Sequence, residues 1–473
     1  MSTKVVIAAL KGGSGKTTLT LGIISLLRKK GIAVTPFKKG PDYIDSAWLS
    51  YAAQKDCYNL DLFLMEKDKI LTSFNAHTPN TDITIIEGNR GIYDGFDIDG
   101  SCSTAELAKL LNSPVILIVD CTMASLTIAA IVLGCMHFDP QVKIKGVILN
   151  QVGSKRQESL LRSAIERYCN IPVIGAVPKL KEETLPTREM GLITVSEYQY
   201  SEKIITTLTQ IAQRYIDVDK LMEIAKESVI PTHLTSPATP HISSPSMGED
   251  KACPERSRRG EGDKIKPCIG IIRDSAFNFY YPDNLELLKQ SGLELIEINS
   301  LKDKKLPSID GLYIGGGFPE THAELLTANK AFHASLKEAI ENGLHVYAEC
   351  GGLIYLGKSL IWGEKEYPMS GVLPIVFGYQ QKPAGHGYTI LKVEKNNPFF
   401  KTGTIIKGHE FHYSHVLNYD EDKLYMAMSV QRGYGANGNR DGFCYKNVLA
   451  MYTHLHALSS INIPFSTFSP PFP

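Results

Sequence analysis

Val5-Val6-Ile7-Ala8-Ala9-Leu10 runs into Lys11-Gly12-Gly13-Ser14-Gly15-Lys16-Thr17-Thr18. Six apolar residues in succession suit a strand buried on both faces of a parallel sheet. The glycines after it allow a tight loop whose backbone N–H groups wrap an anion, and the helix that follows adds its positive end. In such loops the lysine neutralises phosphate charge and the threonine hydroxyl ligates Mg²⁺. The strict G-x-x-x-x-G-K-[ST] pattern is not met, because Leu10 stands at its first glycine. The loop is instead a variant with an extra lysine, Lys11. A glycine turn with no ligand is the alternative, but the strand before it and Lys-Thr-Thr after it argue for phosphate. Gly12, Gly13, Gly15, Lys16, Thr17 and Thr18 are therefore the predicted nucleotide contacts.

Outward from the loop, apolar runs at 32–37, 83–87, 115–120, 144–149 and 173–177 alternate with helical patterns at 17–30, 103–111 and 156–168. That is the βαβ signature of a doubly wound α/β domain. Parallel sheets present ligand-binding groups at the C-terminal ends of their strands. Glu87 ends one such run and is the candidate Mg²⁺ ligand; Asp120, ending the next, is a weaker one. Gly40-Pro41-Asp42-Tyr43-Ile44-Asp45 puts two acids in a rigid turn. They either hold a metal or substrate, or form a turn and the cap of a helix.

The texture changes from about 231 to 266, where proline, serine, threonine and charge dominate. Such a stretch buries too little apolar surface to offset its ordering entropy and reads as a linker. Its Arg256-Ser257-Arg258-Arg259 cluster reads as a solvated spacer. Strand patterns resume at 268–273, 294–298, 311–314 and 344–348. The predicted layout is a nucleotide domain at 1–225, a linker at 226–266, a second α/β domain at 267–458 and a disordered tail at 459–473.

In the second domain His345-Val346-Tyr347-Ala348-Glu349 runs into Cys350-Gly351-Gly352. A strand-to-helix turn of this kind projects a nucleophile. A thiol needs a base, and histidines occur in two strand-like blocks, at 408–414 and 449–456. Alternation would put His454 and His456 on one side. Attack on an amide also needs an oxyanion binder, and Gly315-Gly316-Gly317 after a strand offers N–H groups. Lysine plus arginine equals aspartate plus glutamate, at 50 each, so nothing supports bulk attraction to nucleic acid or anionic membranes. No apolar run approaches the roughly 20 residues that span a bilayer, and no signal-peptide layout opens the chain. Nine cysteines without C-x-x-C pairs argue against a disulfide framework or structural zinc and for a reducing, cytoplasmic setting.

Several blocks together resemble the cobyrinic acid a,c-diamide synthase family, the glutamine-dependent amidotransferases of cobalamin biosynthesis. They are the phosphate loop, Lys39-Gly40-Pro41-Asp42-Tyr43-Ile44-Asp45, Glu87-Gly88 with Gly91-Ile92-Tyr93-Asp94-Gly95, Gly315 to Glu320, Ala348 to Gly352 and Gly408 to Ser414. The resemblance implies a P-loop domain similar to dethiobiotin synthetase and a class I type glutaminase domain. It implies ATP and Mg²⁺, and an enzyme that activates carboxylates as acyl phosphates and amidates them with ammonia from L-glutamine. By the same resemblance Thr17, Asp45 and Glu87 hold Mg²⁺, Lys38 lies near the transferred phosphoryl group and Asn150 contacts adenine. Asp45 and Asp94 handle the corrinoid substrate, Cys350 is the nucleophile and His454 its base. The usual glutaminase acid stands two residues after the histidine; here that place is His456, so the site resembles a Cys-His dyad. Glu189 stands where the family tends to carry histidine. Hydrogenobyrinate or nickel sirohydrochlorin would suit the same chemistry, a homodimer is left open, and a variant-Walker partitioning ATPase is the rival that leaves the second domain unused.

Overall fold

The computed structural model of the chain describes residues 3–79, 81–180, 187–188, 191–195, 197–198, 200–227, 266–459 and 463–466. Most of the expected linker, and Glu189, lie outside the described residues. Two compact units are formed, residues 1–235 and 236–473.

The first unit is built on seven strands in the order Tyr58–Leu60, Val34–Lys39, Ile83–Glu87, Lys4–Ala9, Val115–Asp120, Ile144–Val152 and Val173–Pro178. Every pairing is parallel. Their apolar runs fit this because both faces are covered; all of Lys4–Ala9 is buried. The helix Lys16–Lys29 buries Leu19, Leu21, Ile23, Ile24, Leu26 and Leu27. Each such side chain contributes roughly 1.5–3 kcal/mol when fully buried, so packing fixes the loop that the helix follows. Register then aligns the chemistry. Lys38 pairs with Glu87, Ile7 pairs with Glu87, and Asp120 pairs with Asn150. Groups distant in sequence thus share one edge of the sheet.

The second unit has a nine-stranded sheet in the order Glu294–Ile298, Cys268–Ile272, Gly311–Ile314, His345–Glu349, Val448–Met451, Arg440–Tyr445, Tyr425–Arg432, Gly385–Val393 and Ile405–His412. Its first five strands are parallel and the rest antiparallel. Apolar clusters cover it on both sides. A four-stranded sheet, Lys365–Pro368, Ser359–Trp362, Ile375–Tyr379 and Ser414–Tyr419, lies beside it.

One expectation needs correction. The strand-like block at 449–456 ends as a strand at Met451, and only an isolated bridge joins His454 to His409. Of the tail expected at 459–473, residues 459 and 463–466 are among those described. Ile463 and Phe465 are 4% and 3% exposed, and the Phe465 ring lies 5.0 Å from that of Phe399. Among the described residues no helix is long and apolar enough to cross a membrane, and all eight cysteines are free.

Candidate active sites

In the first unit the loop turns on Gly15, whose φ of 86° is left-handed, a region glycine enters without strain. A Cβ there would lie 2.4 Å from Asn150 Nδ2. That amide donates to Ser14 O at 2.9 Å, while Ser14 Oγ donates to Lys11 O at 3.0 Å. Gly12 and Gly13 are exposed. The Lys16 ammonium donates to Arg90 O at 2.7 Å and Lys11 O at 3.3 Å. Burial lowers its pKa, and the neighbouring Lys38 charge adds to this. Lys11 pairs with Asp120 at 3.6 Å.

Beside the loop, Thr17 Oγ1 donates to Glu87 Oε1 at 2.9 Å and to Asp45 Oδ2 at 3.3 Å. Lys38 Nζ lies 2.6 Å from each of the same two oxygens. Burial alone would lower the Lys38 ammonium, but Asp45 and Glu87 overcome it and hold its pKa well above the ordinary lysine value. Burial pushes Glu87 up against the pull of Lys38. For Asp45 burial is overcome by Lys38, and the carboxyl sits below its usual range. Among the described residues Glu87 Oε2 is buried with no hydrogen-bond partner.

The two acids of the turn therefore part company. Asp42 Oδ1 accepts from Asp45 N at 2.9 Å, in the first turn of the helix Ile44–Ala53, and its other oxygen lies 4.0 Å from Lys38 Nζ. Asp45 joins the Thr17–Lys38–Glu87 cluster. Asp94 is exposed and closes a turn by accepting from Gly91 N at 2.8 Å; its charge still reaches Lys16.

Cys350 has φ 46° and ψ −99°. That is a strained backbone for a non-glycine residue and the mark of a nucleophile elbow. Its N–H donates to Met451 O at 2.8 Å, tying the elbow to the strand that leads to His454. The side chain is 5% exposed. Burial pushes the thiol up, and the charge of Glu320 adds to it, so a proton acceptor is needed to make a thiolate. Gly316 and Gly317 join the two sides. A Cβ on Gly316 would lie 2.4 Å from His454 Cε1, and one on Gly351 would lie 3.0 Å from Gly317 N.

Behind this ledge lie buried polar side chains. His454 stacks on His409 with ring centres 5.0 Å apart. Burial holds His409 well below its ordinary pKa, with the neighbouring histidines adding to the effect. His454 Nδ1 faces Glu349 Oε2 at 3.4 Å. His456 turns instead to Asp283, at 3.4 Å, and to the ring of Tyr281.

The comparisons with known proteins follow this division. Residues 5–192 match the model of the CobQ/CobB/MinD/ParA nucleotide binding domain. Residues 268–461 match that of the CobB/CobQ-like glutamine amidotransferase domain. The cobyrinate a,c-diamide synthase of Magnetococcus marinus is 41% identical over 453 residues, 96% of this chain and 94% of that one. The chain belongs to the cobyrinate a,c-diamide synthase family. Its relatives of the same name from Archaeoglobus fulgidus and Caldanaerobacter subterraneus are 38% and 40% identical, over 97% and 95% of this chain and 95% and 94% of theirs. It is a nucleotide-binding, glutamine-hydrolysing ligase that forms amide bonds.

Among the predicted site residues of this family member, the structure brings Thr17, Lys38, Asp45 and Glu87 within mutual contact and packs Gly15 against Asn150. It lines Cys350 and His454 along one glycine ledge. The residue that the sequence reading passed over is Glu349. A signal for it existed, since it ends an apolar strand with an acid just as Glu87 does.

Proposed function

We propose that the chain amidates the a and c acetate carboxylates of cobyrinic acid, in cobalamin biosynthesis, using ATP and ammonia drawn from L-glutamine. The observation that carries this is the 41% identity to a cobyrinate a,c-diamide synthase, which runs through both units.

In the first unit a substrate carboxylate attacks the γ-phosphate of ATP, giving an acyl phosphate and ADP. Phosphoryl transfer of this kind is catalysed mainly by positioning and by offsetting charge. The N–H groups of Gly12, Gly13 and Gly15, with Lys16 and Thr18, hold the phosphates, and Asn150 borders the adenine side. Thr17, Asp45 and Glu87 would hold Mg²⁺. Among the described residues no three His, Cys, Asp or Glu side chains form a metal cluster. A hydroxyl, two carboxylates and the unpartnered Glu87 Oε2 nevertheless suit Mg²⁺, which keeps waters and substrate phosphate in its shell. When bound, the ion neutralises charge on the transferring group. Lys38 supplies a second positive charge there, and Asp94 faces the substrate.

In the second unit His454 takes the Cys350 proton and the thiolate attacks the glutamine side-chain amide. N–H groups of the Gly316–Gly317 ledge steady the oxyanion. The C–N bond breaks, His454 returns its proton to the leaving ammonia, and water then hydrolyses the thioester to glutamate. Ammonia displaces phosphate from the acyl phosphate, and two such cycles consume two ATP and two glutamine.

The test is Cys350→Ala, assayed with glutamine and with ammonium salts. Glutamine-driven amidation should vanish while ammonia-driven amidation continues, with product mass read on cobyrinate, hydrogenobyrinate and nickel sirohydrochlorin. Failure of ammonia to sustain the variant would overturn the division of labour. Turnover on another macrocycle alone would overturn the substrate.

A further inference from the structure

Class I type glutaminases usually place a carboxylate two residues after the catalytic histidine, and here that position is His456, turned toward Asp283 and Tyr281. The histidine is not thereby left without an acid. Glu349, the residue before the nucleophile, is wholly buried, and its Oε2 lies 3.4 Å from His454 Nδ1, an electrostatic approach with no hydrogen bond formed between the two atoms. Among the described residues His454 is the one ion-pair partner that this carboxylate has.

A buried carboxylate with no lysine or arginine beside it carries a desolvation cost of several kcal/mol unless its oxygens are satisfied. Here they are. Oε1 accepts from Tyr347 OH at 2.8 Å and from Leu455 N at 3.0 Å, and Oε2 accepts from Tyr313 OH at 3.1 Å. These bonds fix the plane of the carboxylate. One of them also reaches the base, since Leu455 N belongs to the peptide that follows His454. One side chain therefore sets both the backbone and the ring of the base, from a position covalently joined to the nucleophile.

We propose that Glu349 is the positioning residue of the thiol site: it holds the proton of His454 on Nδ1, leaves Nε2 to take the Cys350 proton, and stabilises the imidazolium that results. This rests on the reading that Cys350 and His454 hydrolyse glutamine. The proton balance is simple. The Cys350 proton moves to Nε2 as the sulfur–carbon bond forms, and it leaves on ammonia as the carbon–nitrogen bond breaks. The Nδ1 proton stays on the imidazole throughout, as in a Ser-His-Asp triad.

A carboxylate that served only to satisfy the two phenols would be replaced without loss by the isosteric amide. Glu349→Gln separates the two roles. With steady-state glutaminase assays on the full chain, kcat should fall about 10²–10⁴-fold, the scale of replacing the acid of a triad by its amide. KM for glutamine should stay within about threefold, and the thermal unfolding midpoint should be unchanged. A variant that keeps kcat within about threefold of the parent, or that loses only KM, overturns the proposal. Should Glu349→Gln melt early, Tyr313→Phe decides. It removes one phenol donor and keeps the charge, so a kcat lowered roughly three- to tenfold supports the assignment and an unchanged kcat overturns it. Cys350→Ala is run alongside. If it still hydrolyses glutamine, the underlying reading fails; if it is dead while Glu349→Gln is fully active, only the role of Glu349 fails.

Discussion

The two sites use the same raw material, acids and bases at the ends of parallel strands, and use it in opposite ways. Around the phosphate loop, charges face charges. Lys38 and Thr17 share the same two carboxylate oxygens at 2.6–3.3 Å, so any added cation must be accommodated by sharing those oxygens anew. Around the thiol, neutral donors carry the load. Two phenols and a peptide N–H hold Glu349, and the His454 ring approaches it only to 3.4 Å. The first arrangement is one of exchangeable partners; the second is a frame. Charge changes should therefore disturb the first site most, and shape changes the second.

Removing the loop's charge should have the largest effect. Lys16→Ala is expected to lower amidation by roughly 10³-fold or more with glutamine and with ammonia alike. Activity with ammonia at the parental level would break the contrast. Gly316→Ala adds one methyl where only 2.4 Å is available beside His454 Cε1. It should cut glutaminase kcat by about 10²-fold, the scale of an ångström misplacement, and leave ammonia-driven amidation untouched. Full glutaminase activity would mean that the frame gives way easily. Glu87→Gln should raise the Mg²⁺ concentration for half-maximal ammonia-driven amidation by about tenfold, and an unshifted requirement would remove Glu87 from the cation's surroundings.

The smallest effect concerns stability. His333 is buried edge-on to Tyr355, with Nε2 unpartnered among the described residues. Burial lowers its pKa to about 4. A histidine lowered in the fold contributes stability that is full above the unfolded value near 6.5 and is lost as pH falls toward 4. His333→Leu should flatten that acid limb, by roughly 2 kcal/mol in denaturant titrations at pH 4 relative to pH 7. An unchanged limb would assign it to other groups.

Much of the first unit is legible in the sequence, because its signals are contiguous. All-apolar runs reveal strands covered on both faces, and Glu87 follows from the rule that ligands gather at strand ends. What the linear order hides is partnership. Asp42 and Asp45 look equivalent in their turn, yet Asp45 meets Lys38 at 2.6 Å while Asp42 stands off at 4.0 Å and accepts from a backbone N–H of the helix. The second unit is less legible. Half of its main sheet is antiparallel, with polar residues and glycines along strands such as Gly385–Val393, so its period is blurred. Glu349 is hidden in the linear order because a glutaminase acid ordinarily follows its histidine by two residues, whereas this contact runs across the sheet, from strand His345–Glu349 to the chain beyond Val448–Met451.

That strand pairing also bears on the order of folding. Val448–Met451 is the last strand of its sheet in the chain, yet it occupies the central place, between His345–Glu349 and Arg440–Tyr445. The pairing spans about a hundred residues, and long-range closures of this kind are slow. A chain lacking this segment would carry a gap in mid-sheet rather than a frayed edge. Its cysteine would be present without its base, so the unit acquires its chemistry only as its sheet is completed. Protease protection of the second unit in chains stopped before residue 448, equal to that of the full chain, would argue against this order.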